Sequence, residues 1–419
     1  MKITGLKKWI SLLLAAVLCL SASGCSMSEV TTDELMRPPQ LSQSRQQVQT
    51  AINKLLGGAQ TLVAPSGGEH RSSINLADLN GDGQNEAICF CVNAQSKQIE
   101  VIVLQKKEDS WQQRGKFASD ATAVERLEIT DLNGDGLSEL IIGWSYLAGS
   151  ERTLQVLRLS DNALFSLYNN RCSQYQLIEK PSPRIISIDL SGHAASLLGY
   201  KGHKFASLSS VPIDPRIMNF TAVTTAKTTL GQPAVYLDAQ LEDQSYHTEI
   251  LVIAEEEYLE NKLFTDGGGV HRALNIRCAD IDADGLPEVP QCAAMEQGEG
   301  AGYYTYWSKF DGKQLLEPLT TFTAPTDSFY FVYPEHWIEK VFVRQDSTLQ
   351  RLYHFVTPSG QALYSLRLFT PTEFSEIHPS EGWILLSESA DKVIAYKKDE
   401  FADKRPFSKE AWAAAVHTY

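Results

Sequence analysis

From about Leu62 onward the chain is a succession of short apolar runs separated by polar turns. Runs at 99–104, 153–159, 185–189, 249–254, 303–310, 329–333, 341–343, 363–369 and 383–386 are rich in Val, Ile, Leu, Tyr and Phe. Many short strands with regular turn signals predict an all-β sandwich, barrel or propeller. Two stretches have helical period instead. Over 41–56, Val48, Ile52, Leu55 and Leu56 fall on one face, with Gly57 and Gly58 as a stop. Its few basic residues make it a helix for the folded body rather than a lipid surface. Over 408–417, Ser408 is placed to cap a helix with Glu410 in its first turn and Trp412 and Val416 on one face.

Three turns share a further pattern. Oxygen-bearing side chains sit at relative positions 1, 3, 5 and 9, with glycine at position 6. They are Asp78, Asn80, Asp82 and Glu86; Asp131, Asn133, Asp135 and Glu139; and Asp280, Asp282, Asp284 and Glu288. Alternate residues of a tight loop can point inward together, which suits a hard cation such as Ca²⁺. A helical calcium hand needs an acid at position 12, where this chain has Cys89, Ile142 and Gln291. An acidic turn without an ion is the competing reading.

The first two loops start 53 residues apart, and the third follows the second by close to three such periods. A repeat of roughly 50 residues indicates an array or propeller. Skipped registers fall near 181 and 230, where Asp189–His193 and Asp238–Asp243 resemble the motif loosely. About seven such units fit the ordered region, so a β-propeller of about seven blades is expected, with six or eight possible.

The loops resemble the FG-GAP and VCBS-type repeats of calcium-binding β-propellers, in segments 78–86, 131–139 and 280–288. That family commonly places Asp at the ninth position, where all three loops here have Glu. The resemblance implies a structural Ca²⁺ in each loop, up to three in all.

The N-terminus changes the picture. Lys2, Lys7 and Lys8 precede an apolar run from Trp9 to Leu20, then Ser-Ala22-Ser23-Gly24-Cys25. Small residues before a cysteine resemble the lipobox of bacterial lipoproteins, with Ala22 in place of the usual Leu. This implies export and a lipid on Cys25 that holds the chain to the cell membrane or outer membrane. The competing reading is an ordinary secretory signal. The expected organisation is signal peptide 1–24, polar tether 25–40, amphipathic helix 41–57, propeller 58–405 and C-terminal helix 406–419.

Net charge is −14, and removing the first 24 residues, with three lysines and no acids, takes it to −17. Such a surface repels phosphate backbones, so no nucleic-acid partner is expected. Beyond Cys19 and Cys25 an odd number of cysteines remains. A Cys278–Cys292 bridge is possible, and buried thiols are the favoured reading.

No G-x-S-x-G, H-E-x-x-H or phosphate-loop pattern occurs, and the nine histidines show no zinc spacing. No catalytic residue is assigned. Two aromatic stretches could bind a glycan or peptide, through Tyr303, Tyr304, Tyr306 and Trp307 and through Tyr333 and Trp337. The competing reading is that they fill the space between blades. Binding or scaffolding at the cell envelope, with a protein or glycan partner, is the expected role. The alternative is a propeller hydrolase or lyase acting on extracellular polysaccharide.

Overall fold

A computed structural model describes residues 43–418, apart from 57–59, 94, 109, 147–151, 180–181, 256, 266–269, 296–301 and 378. The signal peptide, Cys25 and the tether therefore lie outside the described residues. The chain divides into two units between Leu55 and Leu56. Helix α1 (Gln43–Leu56) spans this division, starting where the helical period predicted it.

The second unit is built from antiparallel sheets, each made of consecutive strands. The first holds β1 (Gln60–Val63), β2 (Ile74–Ala77), β3 (Glu86–Asn93), β4 (Ile99–Lys107) and β5 (Ser110–Ser119). The second holds β6 (Ala123–Thr130), β7 (Glu139–Ser145), β8 (Arg152–Ser160) and β9 (Ala163–Arg171). The third holds β10 (Gln174–Ile178), β11 (Arg184–Asp189), β12 (Ala194–Lys201) and β13 (Lys204–Pro212). The fourth holds β14 (Ile217–Lys227), β15 (Pro233–Leu241), β16 (Tyr246–Ala254), β17 (Tyr258–Asn261) and β18 (Val270–Arg272). The fifth begins with β19 (Val289–Ala294), β20 (Tyr303–Ser308), β21 (Leu319–Ala324) and β22 (Phe329–Val332). The sixth holds β23 (Phe342–Gln345), β24 (Leu352–Val356), β25 (Ala362–Phe369), β26 (Ile384–Glu388) and β27 (Val393–Lys398). The last strand, β28 (Val416–Thr418), returns to pair with β22. Short helices α2 (Lys262–Thr265), α3 (Pro371–Ser375) and α4 (Lys409–Ala415) complete the unit.

Each sheet packs face to face on the next, and strand alternation explains how. In β7, Leu140 and Ile142 join Phe90 and Val101 of the first sheet. Ile141, between them, points the other way and meets Ile185 and Leu198 of the third. In β15, Val235 and Leu237 face the third sheet while Ala234 and Tyr236 face the fifth. Phe322 and Phe331 then pack on Tyr353 and Phe355 of the sixth. Middle strands are thus buried on both sides, which is why they read as unbroken apolar runs. The outer strands β5, β9 and β13 are mostly exposed or half-buried, with one or two buried positions each.

Six sheets are described, one fewer than the repeat length suggested. The later sheets spend more chain on connections, notably 262–288 before β19 and the α3 segment before β26. The period did locate the skipped registers: the first-to-second strand links of the third and fourth sheets are 179–183 and 228–232. The residues matched there by similarity lie elsewhere. Asp189 ends β11 and Asp238 lies within β15. The C-terminal segment, expected as a helix alone, also adds strand β28 to the fifth sheet.

The Ser408 hydroxyl caps α4 by accepting from the Ala411 amide at 3.1 Å. This orients Trp412 into a fully buried cluster with Phe331, Phe355 and Tyr396, at ring distances of 5.2, 5.0 and 5.0 Å. Trp412→Ala removes the ring that bridges the fifth and sixth sheets. The expected cost is about 3–5 kcal/mol, read as a lower urea midpoint. An unchanged midpoint would show that α4 does not clasp these sheets.

Candidate functional site

The acidic loops connect β2 to β3 and β6 to β7, and lead into β19. In each, the first-position aspartate is the hub. Asp131 accepts from the amides of Gly134 and Gly136, both at 2.7 Å, and of Asn133 at 3.2 Å. Asp78 accepts from Gly81 at 2.7 Å and Gly83 at 2.8 Å, and these amides hold its carboxyl below the usual range. Asp280 accepts from Asp284 at 3.1 Å and Gly285 at 2.8 Å.

The ninth-position glutamate closes the loop. Glu86, Glu139 and Glu288 are buried, and each accepts the amide of the second residue (Leu79, Leu132 and Ile281) at 2.9 Å. The longer side chain thus spans from the exit of the loop to its entry, a role set by reach. Burial pushes all three carboxyls up from the ordinary glutamate value.

Three residues that the sequence did not reveal complete the loops. Arg158 lies opposite Glu139 in the β7–β8 pairing. It binds Asp135 and sits 3.4 Å from Glu139, which also accepts from the Tyr200 hydroxyl at 2.9 Å. One step beyond the Val289–Ser308 pair, the Lys309 ammonium bonds Asp282 at 2.7 Å and Asp284, and lies 3.6 Å from Glu288. The equivalent of these in the first loop is neutral: Gln105 donates to Asp82 at 3.2 Å. Counting nineteen to twenty-one residues past the ninth-position Glu would have found them, but only once the hairpin lengths were known.

In the third loop, Asp280, Asp282, Asp284 and Glu288 bring one ligand atom each to within 4.8 Å of the others. The Glu288 Oε1 atom is buried without a hydrogen-bond partner. This donor set of carboxylate oxygens fits a hard divalent cation.

Two cavities adjoin the sheets. The edge strands β6, β10 and β14 bring Arg126, Glu128, Leu177 and Lys227 to one cavity of about 530 Å³, with Glu69 opposite. Here Arg126 pairs with Glu128 at 2.5 Å and lies over the Tyr175 ring at 5.1 Å. A second cleft of about 620 Å³ runs beside the third loop, lined by Arg277, Asp280, Trp307, Tyr330 and Thr418.

Of the two readings of the aromatic stretches, burial favours packing. Tyr304, Trp307, Tyr333 and Trp337 are buried, and only Tyr303 and Tyr306 are half-exposed. The rings fill the join between the fifth and sixth sheets, as with Tyr304–Tyr333 at 5.3 Å and Trp337–Phe407 at 4.7 Å. Of the six, Trp307 alone reaches a cleft. All five described cysteines are free, so no Cys278–Cys292 bridge is present.

No family model matches the sequence, and no curated protein does. Among solved structures, similarity is found to a protein from Lactobacillus plantarum, with TM-score 0.31 and 12% identity, over 71% of this chain and 84% of that one. A rhamnogalacturonan lyase of Bacillus licheniformis gives 0.30 and 10%, over 81% and 72%. An exotype rhamnogalacturonan lyase gives 0.30 and 9%, over the same shares. Scores this low carry no argument about activity.

At loop position 4 the first two loops have Gly81 and Gly134, with φ of 72° and 76°, where the third has Ala283 at 61°. A side chain in this left-handed region is strained. Ala283→Gly is expected to raise stability by about 0.5–1 kcal/mol despite glycine's entropy cost, and Gly134→Ala to lower it by a similar amount. Chemical denaturation of both variants checks this, and a destabilised Ala283→Gly protein would contradict it.

Proposed function

We propose that this chain is an exported, lipid-anchored binding module whose sheets stand as the blades of a calcium-braced β-propeller. Its partner on this reading is an envelope protein or a glycan, held at a propeller face. The observation that carries the radial arrangement is that edge strands of three consecutive sheets line a single cavity. The Arg126–Glu128 pair, with Glu69 and Lys227, gives this cavity a charged lining that suits a polar partner. Placement at a membrane rests on the basic, apolar and small-residue order leading to Cys25.

Calcium would be held by Asp280, Asp282, Asp284 and Glu288 in the third loop. In the first two it would be held by Asp78, Asn80, Asp82 and Glu86 and by Asp131, Asn133, Asp135 and Glu139. Its contribution is charge neutralisation, the task that Lys309 and Arg158 share. The first loop, with Gln105 in that place, gains most from an ion.

Thermal melts in chelator and in excess Ca²⁺ test the bracing. At ten to a hundred times the dissociation constant, an ion adds about 1.4–2.7 kcal/mol per site. Lys309→Gln should melt lower than wild type in chelator and gain more from Ca²⁺. The pH dependence has a definite sign. Because burial raises the pKa of Glu86, Glu139 and Glu288, the ion-free protein gains stability as pH falls through those raised values. The Ca²⁺-dependent gain shrinks over the same range, since proton and ion compete for the carboxylates. Identical melts with and without Ca²⁺ would remove calcium from the account.

Cys25→Ser tests the anchor separately. The variant should leave the membrane fraction and appear soluble, whereas retention that only detergent releases would contradict lipid attachment.

A further inference from the structure

The fourth sheet holds a gathering of polar groups unrelated to the acidic loops. His247 and Glu249 are two apart on β16, so their side chains share one face. Asp214, on the link from β13 to β14, meets them there. All three are buried, at 0%, 0% and 1% exposure. Each brings a ligand atom to within 4.8 Å of the other two. His247 Nδ1 lies 3.7 Å from Asp214 Oδ2, and Nε2 lies 3.5 Å from Glu249 Oε1.

Those distances are too long for hydrogen bonds, and neither ring nitrogen has a hydrogen-bond partner. A buried imidazole with both nitrogens unmatched is rare in a folded protein. A single ion can take only one of the two ring nitrogens, and each lies near metal-ligand spacing from the carboxylate it faces. Ligand atoms about 2.0 Å from a shared tetrahedral ion lie about 3.3 Å from each other.

We propose that Asp214, His247 and Glu249 bind a divalent transition-metal ion of the zinc type, separate from any ion in the acidic loops. One imidazole nitrogen with two carboxylates suits Zn²⁺ better than Ca²⁺, which takes oxygen ligands. Groups around the site keep the ligands oriented, as outer partners do in metal centres. Glu249 accepts from Asn261 Nδ2 and from the Asp214 amide, each at 2.7 Å. Arg216 forks onto Asp214 from Nε at 3.0 and 3.1 Å. The Arg216 amide and Nη2 also donate to it, so three N–H groups take three of a carboxylate's roughly four acceptor sites and one is left for a metal. His271, paired with His247 across β16 and β18, has its ring centre 5.3 Å from that of His247 and is exposed. It lies beside the site at its exposed side.

The test uses the full chain, stripped with chelator and then held in millimolar Ca²⁺ so that the acidic loops cannot compete. Titration with Zn²⁺ should show one tight equivalent and a raised melting temperature. Glu249→Gln should weaken binding about tenfold or more, whereas Asp284→Asn should not. Because Glu249→Gln alters a buried position, X-ray absorption of the wild-type zinc protein provides an independent arm. It should report nitrogen and oxygen ligands without sulfur. No stoichiometric Zn²⁺ uptake, sulfur in the shell from the free cysteines, or full affinity in folded Glu249→Gln would each overturn the proposal.

Discussion

A strand packed on both faces has nowhere to leave a charge. That constraint governs β3, β7, β15 and β16, whose neighbours lie above and below. An ionised side chain on such a strand must find its partner inside the protein, because water is excluded from both faces. Glu86 and Glu139 begin β3 and β7, and Glu288 immediately precedes β19. Each solves the problem by accepting an amide from the loop it closes. The acidic loops are therefore tied into the sheet by the one carboxylate that is not at their surface, while the exposed aspartates shape the turn.

The same constraint explains the join between the fourth and fifth sheets. Asp238 and Arg272 are both fully enclosed and bonded at 2.7 Å. Arg272 also donates to Thr248 at 2.7 Å and to the Ile276 carbonyl at 2.6 Å, and Asp238 accepts the Cys278 amide at 2.8 Å. The pair gains little net stability over apolar packing, but breaking it strands a charge. Its geometric effect is to fix Cys278 two residues before the third loop, so the buried pair sets where that loop begins. At His247 the constraint is unmet by protein groups alone, with both ring nitrogens buried and without a hydrogen-bond partner.

Local features were legible in the sequence. The loop turns, their glycines and the helix start capped by Ser408 depend on residues a few positions apart and form, whereas that helix ends at Ala415 and Val416, expected on its face, lies in β28. The spacing of about fifty also located the links at 179–183 and 228–232. What failed was anything that needs to know which face of a strand is covered. For Tyr304, Tyr333 and Trp337 a binding surface and packing between sheets both stayed open, because composition cannot distinguish a ring between two sheets from one on the outside. Arg158 and Lys309 were invisible because the cross-strand register depends on hairpin lengths. Asp214 comes from the link between β13 and β14 and His247 from within β16, and no spacing rule joins them.

The central claim is that charges admitted to these two-sided sheets are matched within the acidic loops, with a protein cation or a metal ion at the third. A crystal structure grown in millimolar calcium examines this most directly. The account predicts an ion held by Asp280, Asp282, Asp284 and Glu288, the Lys309 ammonium displaced from it, and Glu288 still accepting the Ile281 amide. A third loop without an ion, or one whose Glu288 has left the Ile281 amide, would contradict it.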